Sequence, residues 1–179
     1  LEMQRNGQIY VVCNRIEMLP RIESRLLRLC PEARTVIAHG QMPAGEMEER
    51  LEAFINYDYD VLISTTIIES GVDIPNVNTI IIHSAQNYGL SDLHQLRGRV
   101  GRGNTQSYCV LLFGRNVSED GLKRLDVLCE TDDGFVIAEQ DLMMRGVGEL
   151  LGTRQSGWMR YFFVDYREHR DLFKLASTA

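Results

Sequence analysis

The chain has 179 residues and a formal net charge of −6, with 44% hydrophobic and 25% charged residues. This composition is typical of a globular domain and excludes an intrinsically disordered chain. The acidic balance argues against a protein that coats nucleic acid nonspecifically, and no apolar run approaches the roughly 20 residues of a membrane helix. The first residues lack a basic flank followed by an apolar stretch, so we expect a cytoplasmic protein without a signal peptide.

Strand and helix patterns alternate through the first part of the chain. Five apolar, β-branched runs predict strands at 8–13, 34–39, 60–65, 78–85 and 107–113. Apolar residues at helical spacing predict helices at 19–33, 43–56 and 91–99. This alternation predicts an α/β fold, in which a parallel sheet carries helices on both faces. Because the runs are apolar nearly throughout, we expect all five strands to be buried on both faces.

Local signals predict where two of the helices begin and end. Pro20 suits the first turn of the first helix, and Pro31 marks its end. Ser91 is the predicted N-cap of the helix at 91–99, because a serine hydroxyl accepts a hydrogen bond from a free amide of the first turn.

The chain changes character after about residue 115. Two helices are predicted at 118–130 and 134–144, joined by the turn sequence TDDG. A glycine-rich stretch and a tail that ends in a predicted helix follow them. We therefore expect a sheet domain at 1–115 and a mostly helical extension at 116–179.

The stretch QLRGRVGRGN, at 95–104, concentrates Arg97, Arg99 and Arg102 beside three glycines. Guanidinium groups match phosphate oxygens in a forked geometry, and glycines let a ligand or another backbone approach closely. Arg99 and Arg102 are three residues apart and share a face if the stretch is helical. The stretch predicts either a clamp on a phosphoryl group or a set of structural salt bridges to the surplus acids.

Polar residues follow two of the predicted strands, where ligands of parallel α/β sheets bind. These residues are His39 and Gly40 after the second strand, and Thr65, Thr66, Gly71 and Asp73 after the third. Histidine and threonine donate hydrogen bonds to phosphate oxygens, and an aspartate accepts them from a sugar hydroxyl or an arginine. A packed histidine, a strand end and ordinary turn chemistry explain the same residues without a ligand.

Several signatures of a self-sufficient catalytic site are absent from the sequence. It has no G-x-x-x-x-G-K-[ST] phosphate loop and no Asp-Glu pair after an apolar strand that would hold Mg²⁺. The four histidines show no metal-ligand spacing, and the four cysteines are too far apart for a zinc or redox motif. We therefore expect buried free thiols, no metal site and, for any nucleotide, a phosphate cradle in another domain.

Four segments together resemble the motifs of superfamily 2 helicases. TTIIESGVDIPN at 65–76 and HQLRGRVGRG at 94–103 resemble motifs V and VI, HGQM at 39–42 matches the motif between IV and V, and IYVVCNRIE at 9–17 stands where motif IV belongs. These motifs belong to the second, C-terminal RecA-like lobe. The resemblance implies a RecA-like fold and a parent that hydrolyses ATP with Mg²⁺, held mainly by an N-terminal lobe.

Residues 132–157 resemble the TRG motif shared by RecG and Mfd, which are bacterial translocases that move on double-stranded DNA. We expect the RecG type, which acts on branched DNA in recombination and repair and carries a wedge domain, with the Mfd type as the alternative. A non-motor α/β module that binds protein or nucleotide is the alternative of another class.

The resemblance also implies roles for individual residues. Arg99 and Arg102 would reach the γ-phosphate of ATP, with Gln95 orienting the nucleotide or the attacking water, and Gly71 and Asp73 would line the same cleft. His39, Gly40, Thr65 and Thr66 would face DNA phosphates. The coupling residues of the TRG motif would be Arg145, Gly146, Gly148, Glu149, Arg154 and Gln155. Without the first lobe, we expect the isolated chain to have no ATPase activity.

Overall fold

The computed structural model describes residues 2–5, 7–65, 76–101 and 105–145, with Met3 and Arg145 described by their backbone alone. The strands are β1 (Gln8–Val12), β2 (Thr35–Ala38), β3 (Val61–Ser64), β4 (Val77–His83) and β5 (Tyr108–Leu112). The α-helices are α1 (Leu19–Leu29), α2 (Ala44–Ile55), α3 (Leu90–Arg97), α4 (Glu119–Glu130) and α5 (Gly134–Arg145). The five predicted strands and the five predicted helices between residues 8 and 145 are present, with ends that differ by a few residues. The predicted helix of the C-terminal tail lies outside the described residues.

The five strands form one parallel sheet in the order β2-β3-β1-β4-β5. β1 lies at the centre. The chain then forms the edge strand β2, returns to β3 between β2 and β1, and continues on the other side of β1 through β4 and β5. Ser64 at the end of β3 pairs with both Ala38 of β2 and Val12 of β1. The carboxyl ends of these three strands therefore meet at one edge of the sheet.

Helices cover both faces of the sheet, as the alternation of patterns predicts. On one face, α1 packs over β1 and β3 through an apolar cluster that includes Val11, Ile63, Leu19, Ile22 and Leu26. On the opposite face, the larger cluster joins Val12, Leu62, Ile80 and Ile82 to Leu51 and Phe54 of α2 and to Leu90 and Leu93 of α3. Burial of these side chains is the main contribution to stability.

The helical extension shares the larger cluster with the sheet. Leu125 and Leu128 of α4 and Ile137 of α5 are buried in the same core as α3. The Ser118 side chain accepts a hydrogen bond from the Gly121 N–H (3.1 Å) and so caps α4. Among the helices in the described part of the chain, none is long and apolar enough to cross a membrane.

The prediction that all five strands are buried on both faces is wrong for β5. Cys109 and Leu111 contact the larger cluster, whereas Tyr108, Val110 and Leu112 on the other face are exposed. β5 is an edge strand, and α1 lies over the other half of the sheet. Apolar composition alone does not tell whether a helix covers a given strand face.

The predicted N-cap of α3 is also wrong. The N-cap is Gly89, whose N–H donates to the Asp92 carboxylate (3.2 Å). A carboxylate at the third helical position that accepts from the N-cap N–H is one half of a capping box, and glycine has no side chain for the other half. Ser91 therefore lies inside the helix, and its hydroxyl is available for a contact with another element. Pro20 lies in the first turn of α1, as predicted.

Candidate functional site

The carboxyl edge of the sheet brings His39 and Thr65 side by side. Ala38 and Ser64 are register partners, and His39 and Thr65 directly follow them. Both side chains have a buried polar atom, His39 Nδ1 and Thr65 Oγ1, with no hydrogen-bond partner among the described residues. Buried polar atoms normally have partners. This edge therefore retains hydrogen-bonding capacity, next to the exposed Gly40.

Two hydroxyl groups lie behind this edge. The Tyr10 hydroxyl is 2.9 Å from Ser64 Oγ, which donates its own proton to the Thr65 carbonyl (2.9 Å). Since Ser64 has one hydroxyl proton, Tyr10 is the donor to Ser64. Burial raises the pKa of Tyr10, against the smaller opposing effects of the Ser64 hydrogen bond and of the Arg99 positive charge. Arg99 therefore lies within electrostatic reach of the edge.

Helix α3 has three flanks with different surroundings. Leu90, Leu93 and Leu96 are buried in the larger cluster. Ser91, His94 and Arg97 face the hairpin formed by α4 and α5. The third flank carries Asp92, Gln95 and, in the turn that continues the helix, Arg99. A single short helix thus connects the hairpin, the core and an outward surface.

Arg97 is held inside the fold. Its Nη1 donates to the carbonyls of Leu128 (2.6 Å) and Thr131 (2.8 Å) and lies 3.1 Å from the Asp132 carboxylate. Its Nη2 is 3.1 Å from His94 Nδ1. Carbonyls at the end of a helix lack intrahelical donors, so Arg97 satisfies the end of α4. Arg97 therefore has a structural role in connecting α3 to the end of α4.

Two more contacts extend along the same flank of α3. The Ser91 hydroxyl donates to the Asp141 carboxylate of α5 at 2.7 Å. His94 approaches the first residue of α5 so closely that a Cβ on Gly134 would lie 3.2 Å from its Nε2. The spacing of Ser91, His94 and Arg97, each three residues after the last, places all three on one helix face. The hairpin and α3 are therefore joined by polar contacts at both ends of α3, with His94 packed against Gly134 between them.

Arg99 differs from Arg97 in having no hydrogen bond or ion pair to any described residue. Its side chain is half-buried, and Gln95 on the same flank is exposed. Its guanidinium is consequently able to bind a ligand without breaking an existing contact. Arg102, Thr66, Gly71, Asp73, the side chain of Arg145 and the TRG positions Gly146, Gly148, Glu149, Arg154 and Gln155 lie outside the described residues.

The sequence predicts no role for Tyr10 or His94, predicts the wrong role for Ser91, and does not identify the partners of Arg97. Tyr10 lies between the aliphatic residues Ile9 and Val11 of β1. A polar hydroxyl in an apolar strand indicates a buried hydrogen bond, so the sequence did contain a signal for this contact. The other three recur every third residue on a helix with an apolar flank, which predicts a second buried contact. Their partners are at least 31 residues further along the chain, so sequence spacing does not identify them.

The described residues fit contact with phosphate but contain no metal site. No group of three or more His, Cys, Asp or Glu side chains among them is arranged to hold a metal ion. The Arg99 guanidinium, which has no hydrogen bond or ion pair among the described residues, is the kind of donor that phosphate oxygens accept from, whereas His39 Nδ1 and Thr65 Oγ1 are buried atoms. All four cysteines are free thiols, but only Cys13 is buried, so the expectation of buried thiols is wrong for the partly buried Cys30 and Cys109 and for the exposed Cys129. Burial raises the pKa of the Cys109 thiol to about 11.

Comparison with protein families assigns the chain. The helicase conserved C-terminal domain matches residues 1–104, which contain the sheet edge and α3. The chain belongs to this family. It is the C-terminal lobe of a superfamily 2 helicase, with a RecA-like α/β fold.

Curated relatives include transcription-repair-coupling factors from several bacteria. The factor of Escherichia coli K12 is 47% identical over 88% of this chain and 14% of its own length. That of Buchnera aphidicola is 44% identical over 98% of this chain and 22% of its own length. The chain thus spans less than a quarter of the length of these relatives.

Solved structures include a structure of RecG bound to a three-way DNA junction. It has a TM-score of 0.72 and 36% sequence identity, over 97% of this chain and 23% of that one. The C-terminal domain of the DEAD-box protein Dbp5 has a TM-score of 0.56 at 16% identity, a likeness of fold alone.

Proposed function

We propose that this chain is the second motor lobe of an ATP-dependent translocase on double-stranded DNA. The observation that carries the proposal is the division of α3, which presents Arg99 and Gln95 on one flank and holds the α4–α5 hairpin with another. A scaffold domain has no need for a half-buried arginine that lacks a hydrogen bond or ion pair within the described part of the chain. A motor lobe needs both a catalytic cation and a rigid connection to a moving element.

Arg99 and Arg102 would contact the γ-phosphate of ATP bound, with Mg²⁺, mainly by the N-terminal lobe. ATP supplies the phosphoryl group, and the two guanidinium groups would neutralise the charge that its oxygens gain as it is transferred. An arginine that reaches the reacting phosphate from a neighbouring domain is worth about 10³–10⁵ in rate. Gln95 would orient the nucleotide or the water, and Gly71 and Asp73 would line the cleft.

The sheet edge would bind the DNA backbone. His39 and Thr65 carry hydrogen-bonding atoms that no described residue uses, and Gly40 beside them leaves room for a close approach. Thr66 would extend this row. These contacts are neutral and few, so the negative net charge of the chain leaves most of the DNA affinity to other domains of the parent.

The α4–α5 hairpin would transmit movement from the nucleotide to the DNA. Because α3 carries Arg99 and contacts the hairpin through Ser91, His94 and Arg97, closure of the cleft on ATP would displace both together. The TRG positions Arg145, Gly146, Gly148, Glu149, Arg154 and Gln155 follow at the end of α5 and would contact the duplex. If the hairpin only covered the sheet, loss of its contacts with α3 would not change the movement along DNA.

The parent protein is either a RecG-type translocase or a transcription-repair-coupling factor, and one comparison supports each of the two. The structural match to RecG, bound to a three-way junction in that structure, supports a branched-DNA translocase that works with a wedge domain in recombination and repair. The identities of 43–47% to transcription-repair-coupling factors support that parent instead. The chain upstream distinguishes the two, since it contains either a wedge domain for branched DNA or an RNA polymerase-binding domain.

Displacement of a triplex-forming oligonucleotide by the parent protein tests the motor proposal. We expect displacement that requires hydrolysable ATP, and no ATPase activity in the isolated 179-residue chain because it lacks a phosphate loop. Displacement of the oligonucleotide without ATP would contradict the motor proposal and would favour a binding module without motor activity. Substantial turnover by the pure chain, abolished by Arg102→Ala, would place the whole catalytic site here and contradict the division between lobes.

A further inference from the structure

Tyr10 is a buried side chain whose hydroxyl reaches the carboxyl edge of the sheet. Its register partner on β3 is Leu62, yet its hydroxyl lies 2.9 Å from Ser64 Oγ, two residues nearer that edge. The phenol therefore leans along the sheet toward the carboxyl ends of the strands. Tyr10 is 5% exposed and Ser64 is fully buried, so water does not compete for the hydrogen bond between them.

The hydrogen bond from Tyr10 continues to the backbone at the end of β3. Ser64 accepts from the Tyr10 hydroxyl and donates its own proton to the Thr65 carbonyl at 2.9 Å. Hydrogen bonds in such a chain polarise and strengthen one another. The orientation of the Thr65 peptide therefore depends on Tyr10. Thr65 is one of the two edge residues whose buried polar atoms have no partner within the described part of the chain.

The ring of Tyr10 belongs to the core into which the end of α3 packs. Leu96, whose carbonyl accepts from the Arg99 N–H at 3.1 Å, and Val100, which follows Arg99, pack in the same apolar cluster as Tyr10. Burial raises the pKa of Tyr10, and the Ser64 hydrogen bond and the positive charge of Arg99 lower it by smaller amounts. Tyr10 therefore lies in one packed unit with the residues that hold Arg99, and it is hydrogen-bonded to the sheet edge.

We propose that Tyr10 is a positioning residue that couples the sheet edge at Thr65 to Arg99, so that DNA bound at this edge stimulates ATP hydrolysis. The inference rests on the function proposed above and names a regulatory contact of the same site. A shift of the Thr65 peptide on contact with a DNA phosphate would displace Ser64 and the Tyr10 hydroxyl together. Because the core around the ring is close-packed, that displacement would reach the end of α3 and the position of Arg99.

Tyr88 provides a matched contrast to Tyr10. It packs in the same apolar cluster and is also 5% exposed, but its buried hydroxyl has no hydrogen-bond partner among the described residues. Burial raises the pKa of both phenols, so each keeps its proton near neutral pH. Replacement of either tyrosine by phenylalanine therefore removes the same group, which is connected to the sheet edge at Tyr10 and unconnected at Tyr88.

The stimulation ratio of the parent protein tests the proposal. This ratio is the rate of ATP hydrolysis with saturating double-stranded DNA divided by the rate without DNA. We expect Tyr10→Phe to lower the ratio about fivefold or more, because hydrolysis loses its connection to the sheet edge. Tyr88→Phe should retain the ratio of the unmodified parent. A loss of folded protein alone would decrease both rates in the same proportion, so the ratio measures coupling and not stability.

Ser64→Ala removes the partner of Tyr10 and provides a second measurement. It eliminates both the acceptor for the Tyr10 hydroxyl and the donor to the Thr65 carbonyl, and we expect a decrease in the ratio at least as large as that of Tyr10→Phe. Because the two residues act through one chain of hydrogen bonds, the double variant should show no further decrease beyond Ser64→Ala.

The possible outcomes separate this inference from the motor proposal. An unchanged stimulation ratio in Tyr10→Phe would overturn the inference and leave the motor proposal intact. An equal decrease in Tyr88→Phe would do the same, because the effect would then come from the loss of any buried hydroxyl in this core. Independent decreases that multiply in the double variant would also overturn it. Absence of DNA-stimulated hydrolysis in the unmodified parent would overturn both the inference and the proposed function.

Discussion

Arg97 and Arg99 are two residues apart in one motif, and their surroundings are opposite. Arg97 satisfies the carbonyls at the end of α4 and is only 17% exposed, whereas Arg99 has no polar partner among the described residues. The same side chain is a structural connector at one position and an available cation at the next. The comparison teaches that a cluster of arginines is not one site, because helical geometry sends neighbouring positions to different flanks.

The largest expected effect is that of Arg99→Ala on catalysis in the parent protein. We expect DNA-stimulated ATP hydrolysis to fall about 10³-fold or more, because a cation at the transferring phosphate is lost. Steady-state kcat with saturating DNA measures this loss. Arg115→Ala, at an exposed arginine after β5, is the control and should retain full activity. A decrease of less than tenfold for Arg99→Ala would remove this residue from the catalytic site.

Arg97→Ala should instead affect stability. Removal of the guanidinium leaves the Leu128 and Thr131 carbonyls without their donor, and we expect a loss of about 3 kcal/mol in the free energy of unfolding. Urea denaturation of the 179-residue chain measures it. Arg99→Ala in the same experiment should change the free energy by less than about 0.5 kcal/mol. Equal losses in the free energy of unfolding for the two variants would contradict the assignment of a structural role to Arg97 alone.

Ser91→Ala probes the connection between α3 and α5 with a smaller change. It removes the hydroxyl that donates to Asp141, and we expect a loss of about 1 kcal/mol in stability. If the hairpin transmits movement, the parent variant should also consume more ATP per base pair travelled. Ser24→Ala, at an exposed serine of α1, is the matched control. A normal ratio of ATP to distance in Ser91→Ala would contradict the coupling role of this contact.

The smallest effect concerns an ion pair far from α3. Hydrogen bonds from Arg34 to the Asp60 carboxylate lower the pKa of Asp60. A lowered pKa in the folded state stabilises above the unfolded value of about 3.9 and loses its effect as pH falls below it. At pH 7, Asp60→Asn should decrease Tm by about 1–2 °C, since the pair is partly exposed. Thermal unfolding of both proteins at pH 7 and pH 3 tests this, and a difference in Tm at pH 3 as large as that at pH 7 would contradict it.

The sequence was sufficient to predict the alternation of strands and helices, because apolar periodicity reflects burial against the sheet. It was not sufficient for β5, whose exposed face has the same composition as a buried one. It also assigned Ser91 to a cap, since the partner that decides its role, Asp141, is 50 residues away. For the candidate site, the motifs identified His39, Thr65, Gln95 and Arg99, and only the fold separated Arg99 from Arg97. The roles of these residues stay predictions.

The central claim is that Arg99 contacts a phosphate of a nucleotide held by another lobe. It stabilises the transition state of phosphoryl transfer more than it stabilises the bound nucleotide. Binding of ADP with and without aluminium fluoride by the parent and its Arg99→Ala variant tests this most directly. We expect equal affinity for ADP, and about 100-fold weaker binding of the ADP–aluminium fluoride complex, which mimics the transferring phosphoryl group, by the variant. Equal affinity of both proteins for that complex would contradict the claim.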